Sequence, residues 1–167
     1  MAHSPLGVDP LRVDTVAQYP LGYEIQDPRQ DFPGNVIRYI KAGEALGAGK
    51  ALQIDIAVTP GTPSIRGKQM LLTAATTPLT QTVSALTHVA IASGSFGWVT
   101  VHGIVPGVTV PDALAVGTAM VGGAAGALVD ASGAGTETAE LAYTMAAGKR
   151  CLLVQDTGTS LGTVFID

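Results

Sequence analysis

The sequence predicts a mainly β protein, a small β-barrel or β-sandwich of the jelly-roll or tulip kind, with an extended N-terminal arm. Three observations lead there. Glycine and proline are frequent, at 21 and 10 of 167 residues, and such punctuation fits short strands joined by turns better than a helix bundle. The clearest apolar runs are short, rich in β-branched residues and alternate with period two. Glycine-containing turns recur between those runs, which is the mark of hairpins. The length corresponds to about one domain, at roughly 100–200 residues each.

Residues 1–34 form the arm. Pro5, Pro10, Pro20, Pro28 and Pro33 fix φ, remove donors and push each preceding residue toward extended conformations. A solvated linker has no need of apolar side chains, yet the arm carries Leu11, Val13, Tyr19, Leu21, Tyr23 and Phe32 among others. These six, with Trp98, are the candidate interface residues. They predict an arm lying along a partner or along its own body.

Residues 35–167 form the β-rich body. Asn35–Ile40 has strand composition, and residues 41–50 are a turn-rich connection. Ala51–Val58 alternates, with Leu52, Ile54, Ile56 and Val58 on one face. Thr59–Pro63 is a loop, residues 73–82 a loop or irregular edge strand, and a short helix over 79–87 is a further option. His88–Ala92 and Trp98–Val105 make a hairpin around Ser93–Gly97, which Pro106–Gly107 then breaks before a short strand at Val108–Val110. On the second strand Val99 and Val101 share one face, while Trp98, Thr100, His102 and Ile104 share the other. Ala113–Val121 and Ala127–Asp130 flank a glycine-rich turn as another hairpin, and 137–147 reads as helix or as loop plus strand. Arg150–Val154 and Gly162–Ile166 close the chain as a terminal hairpin. The total is about eight to ten strands, the count of a sandwich or small barrel.

Composition bounds function. Net charge is −4, so no basic footprint for nucleic acid exists. The richest apolar stretch, Val110–Val129, is interrupted by Pro111, Asp112 and several glycines, so no membrane-spanning helix is expected. The N-terminus lacks the basic and apolar regions of a signal peptide, which points to synthesis in the cytoplasm. Charged residues are only 13% while apolar residues reach 47%, with a mean hydropathy of +0.36. So few charges cover a surface poorly, and large apolar patches on soluble proteins mark interfaces. A homo-oligomer or a component of a larger assembly follows.

Chemistry is sparse. Cys151 is the single cysteine and sits in an apolar strand, which excludes an internal disulfide or a cysteine-based zinc site. Gly122–Gly126 lacks the helix a dinucleotide loop requires. Gly158–Gly162 has the wrong pattern for a nucleophile elbow. Asp130, Glu137 and Glu140 lack calcium-loop spacing. His88 and His102 read as pairing or interface residues. Trp98 beside Phe96 reads as a core anchor or interface residue before it reads as a sugar platform. No catalytic residue, metal site or cofactor is expected, and the protein is not read as an enzyme.

Tyr39–Gly49, Val89–Gly103 and Ala115–Val121 together resemble the head decoration, or cement, proteins of tailed bacteriophages. The shared elements are an Ala-Gly hairpin, a Gly-Trp-Val-x-Val-x-Gly strand and a Gly-Thr-x-Met strand. The resemblance spans residues 35–129. It implies a non-enzymatic, trimeric or otherwise multimeric β protein on the capsid exterior of the virion, bridging neighbouring copies of the major capsid protein. Other phage structural components, such as a tail tube or minor capsid protein, and a β-sandwich carbohydrate-binding module are the alternatives.

Overall fold

The computed structural model describes residues 8–29, 34–59, 62–69, 83–112, 114–122, 126–130, 151–156 and 160–167. The fold is mainly β, with no α-helix among these residues. Its strands are β1 (Val13–Asp14), β2 (Glu24–Gln26), β3 (Val36–Ala42), β4 (Ala51–Thr59), β5 (Thr62–Gln69), β6 (Ala85–Thr87), β7 (Phe96–Thr109), β8 (Met120–Gly122), β9 (Leu128–Asp130), β10 (Cys151–Asp156) and β11 (Leu161–Ile166).

The pairings close on themselves. β7 pairs with β6, β6 with β4, β4 with β5, β5 with β3, and β3 with β7 again. Only the short β3–β5 contact is parallel. The closed ring protects its own edges. β7 is long enough to leave the ring and pair with β11, which pairs with β10. β8 and β9 form a separate two-stranded unit. Two short outer strands, β1 and β2, add to β7 and β3.

Three apolar clusters follow from this topology. The first packs Ile40, Ala42, Leu46, Leu52, Ala85, Ile91, Val99 and Val101 together, all from the ring strands or the turns between them. The second packs the far half of β7 with β8, β9, β10 and β11, and includes Cys151, Val105 and Leu128. The third joins Val8, Ile37, Tyr39 and Trp98, with Tyr19, Leu21, Ile25 and Phe96 packed against them. The predicted parity of β7 is present here, since Val99 and Val101 fall in one cluster and Trp98 in another.

β7 does not break at Pro106–Gly107. Its register against β11 slips there, from Val105↔Val164 to Val108↔Gly162. The bulge absorbs the proline, which cannot donate to a ladder. A second slip lies against β3, where Val36 pairs His102 and Ile37 pairs Thr100. Asn35 completes that end. Its side chain donates to Ile104 O and accepts from Ile104 N, both at 2.7 Å, as a strand backbone would. Gly103, at φ +112, lets the chain come this close. A Cβ there would sit 1.9 Å from Asn35 Oδ1.

Several elements differ from the sequence expectation. His88–Ala92 is not a strand: β6 supplies the pairing with β7, and Ile91 makes a single bridge to Leu46. A helix reaching 87 is excluded by β6, with 79–82 outside the described residues. Thr59 and Thr62 belong to paired strands, and β5 was not expected at all. Its sequence, Thr62–Gln69, contains Pro63, Gly67 and five polar or charged residues, so propensity conceals it, while the β4 ladder imposes it. The hairpin before residue 130 is shorter than expected among the described residues: Ala115–Thr118 turns, with Gly117 at φ +88, Ala119 bridges to Leu152, and Met120–Gly122 alone pairs with β9. The expectations over 73–82 and 137–147 lie outside the described residues.

Candidate functional site: the N-terminal strap

Residues 8–29 run as a strap across the outer face of β3 and β7. They are pinned by short ladders. Val13 and Asp14 pair Gly97 and Phe96, while Glu24–Gln26 pairs Val36–Arg38. Between these ladders, Tyr19 and Tyr23 meet the barrel aromatics. Tyr19 lies 5.2 Å from both Tyr39 and Trp98, ring to ring, and Tyr39 lies 5.1 Å from Trp98. Tyr23 stands 6.4 Å from Trp98. Each spacing falls within the range of favourable tilted or edge-on pairs.

The candidate interface residues divide. Trp98 is 2% exposed, covered by its own chain, so within this chain it packs as a core anchor. Tyr19 and Leu21 pack inward beside it. Leu11, Val13 and Tyr23 are exposed, and Val16, which the sequence reading did not single out, is the most exposed of the strap's large apolar residues. Phe32 lies outside the described residues.

A polar anchor holds each end of the strap. At the first, buried Asp14 takes Arg12 Nε at 2.7 Å on one oxygen and the Tyr39 hydroxyl at 3.0 Å on the other. The same hydroxyl accepts from Gln18 N at 3.3 Å. Burial raises the Tyr39 pKa above its ordinary 10.0, which keeps the phenol a donor. A cleft of about 70 Å³ opens here between Asp9, Arg12, Asp14, Gln18, Tyr19 and Trp98.

At the second anchor, the Arg29 guanidinium grips the buried carboxylate of Asp27, with its Nε 2.9 and 3.0 Å from the two oxygens. Arg29 Nη2 lies 3.0 Å from His88 Nε2, and Thr100 Oγ1 lies 2.6 Å from that same nitrogen. Burial foremost, then the Arg29 charge, lowers the His88 pKa from 6.5 to about 4. A hydroxyl, an imidazole and a carboxylate thus stand near one another, but they do not make a hydrolytic triad. Thr100 is 0% exposed, and an arginine rather than a carboxylate meets the imidazole nitrogen.

Other candidate groups sit apart. Cys151 is buried, and burial pushes its thiol up to about 12, far from a reactive thiolate. His102 Nδ1 lies 3.2 Å from Asp167, with its ring edge-on to Phe165. Among the described residues, no three histidine, cysteine or acidic side chains converge as metal ligands, and no helix is long and apolar enough to cross a membrane.

Asp14, Asp27, Arg29 and Asn35 escaped the sequence reading. The only local signal is a charged or amide residue among apolar neighbours, and the arm holds others, such as Asp9 and Glu24, that are not buried. That signal does not distinguish a buried anchor from a solvated turn. The chain matches no protein-family model, no curated protein and no solved structure.

Proposed function

We propose that this chain is a structural protein of a phage head that binds the outside of the major capsid protein lattice and stabilises it. The observation that carries the reading is the outward side of the strap. Leu11, Val13, Val16 and Tyr23 are four of the eight large apolar side chains exposed among the described residues. They fall within a 13-residue stretch already stapled to a closed barrel. A surface of this kind suits attachment, because the barrel supplies rigidity and the strap supplies apolar area.

The sequence supports the same direction, through its 13% charge and through the resemblance carried by residues 35–129. A standard interface buries about 800 Å² per partner, more than four side chains provide. Strength therefore comes from repetition: a homotrimer seated over several capsid subunits binds multivalently. Internal pressure must then break many contacts together before the shell opens. In this reading the protein is made in the host cytoplasm and resides on the virion exterior.

The test is rebinding to expanded capsids stripped of their outer layer, scored by cosedimentation and capsid melting. The full chain is expected to bind and to raise the capsid melting temperature. Replacing Leu11, Val16 and Tyr23 with serine is expected to weaken binding at least tenfold while leaving the free protein folded. Failure of the parent chain to bind, or its assembly into tubes without capsid, overturns the proposal.

A further inference from the structure

The second anchor depends on a neutral imidazole. A guanidinium N–H can only donate, so His88 Nε2, 3.0 Å from Arg29 Nη2, must present its lone pair. The ring proton then sits on Nδ1. The Thr100 hydroxyl, 2.6 Å from Nε2, points its proton at the same lone pair. Adding a proton to Nε2 sets donor against donor and places a second positive charge beside Arg29. Thr100 accommodates the change, since its hydroxyl rotates to accept instead. Arg29 has no such alternative. It must leave, and it is bound to Asp27 on the same turn of the strap.

We propose that Asp27, Arg29, His88 and Thr100 form an acid-sensitive latch: protonation of His88 expels Arg29 from the barrel surface and frees the strap from its C-terminal end, uncovering Tyr39 and Trp98. Arg29 and Asp27 act on the imidazole from the strap, and Thr100 faces it from β7. Asp27 favours the charged ring, but both of its oxygens are engaged by Arg29. Burial and Arg29 oppose protonation, and they prevail while the latch is closed. When the strap lifts, the Arg29 charge leaves the imidazole and the His88 pKa rises toward its ordinary 6.5. Acid therefore drives opening. The device operates whatever surface the protein attaches to.

The sign and size follow from linkage. The closed form takes its proton near pH 4, and the ordinary 6.5 is the upper limit for the open form. Between these values each unit of acidification favours opening by up to tenfold, for a total of up to about 300-fold. Hydrogen exchange of the full-length protein, corrected for the intrinsic pH dependence of exchange, reads this directly. Between pH 6.5 and 4.5, protection of amides in residues 22–27 is expected to fall by up to about 40-fold. Those in β7 should keep their protection. His88→Gln retains an acceptor for Arg29 but cannot titrate, so its strap protection should not change with pH. Equal loss in this variant assigns the effect to carboxylates and overturns the latch. So does an unchanged strap in the parent, or loss of strap and barrel together. Should the variant not fold, proton NMR of the parent decides: a His88 titration well below 6.5 that moves with the strap amides supports the latch, and one near 6.5 without strap changes refutes it.

Discussion

Replacing Trp98 with alanine removes the largest side chain of the outer aromatic cluster. Trp98 is 2% exposed, under Tyr19 and Tyr23 and beside Tyr39. A tryptophan buries about 200 Å², which at roughly 25 cal/mol per Å² corresponds to about 5 kcal/mol as an upper figure. Truncations of buried aromatic residues cost about 3–5 kcal/mol, and less where the site collapses. Here the strap can settle into part of the space, so about 3 kcal/mol is expected. At about 2–4 °C per kcal/mol for a chain of this size, the melting temperature falls by roughly 6–12 °C. The barrel interior, with Val99 and Val101, is untouched, so the variant should still fold. Calorimetry gives the shift, and exchange of residues 8–29 locates it. A melting temperature within about 2 °C of the parent would refute the argument, because it would mean that the strap does not cover Trp98 in solution.

Gly103→Ala should cost more than its size suggests, about 2–4 kcal/mol by denaturant titration, because φ is +112 and the new Cβ meets Asn35 Oδ1 at 1.9 Å. Asn35→Ala should cost about 2–3 kcal/mol in the same assay, since it strips the hydrogen bonds from both the N–H and the C=O of Ile104. His88 makes stability pH-dependent with a definite sign. Its folded pKa is lowered, so its contribution is intact above about 6.5, declines as pH falls to about 4, and is then fully lost, by up to about 3 kcal/mol; between pH 7 and 4.5, urea titrations should show the parent losing about 2 kcal/mol more than His88→Gln. Cys151, with its thiol pushed up to about 12, should resist a disulfide reagent at pH 8 and react promptly in denaturant; fast labelling of the native chain would contradict its burial.

The sequence by itself carried the β class, through alternation and glycine-rich turns. It placed β3, β4 and the terminal hairpin β10–β11 within one or two residues, because each has a clean apolar run bounded by turn residues. It also assigned Trp98 and Val99 to opposite faces, since strand parity is a local property. β5 was not legible, because its polar residues become a strand only through the ladder offered by β4. Nor was the passage of β7 through Pro106–Gly107, which needs a bulge against β11. The division of the arm into inward Tyr19 and Leu21 and outward Leu11, Val16 and Tyr23 has the same character, for an irregular segment has no period from which its faces can be read. His88 shows the limit most sharply. Its neighbours in sequence, Thr87 and Val89, say nothing of its partners, which are 12 and 59 residues away, and it is the closed ring that brings Thr100 and Arg29 onto one nitrogen. Alternation and turn chemistry act over a few residues, whereas burial and hydrogen-bond partnership are settled by chain closure over many tens of residues, so only the tertiary structure decides them.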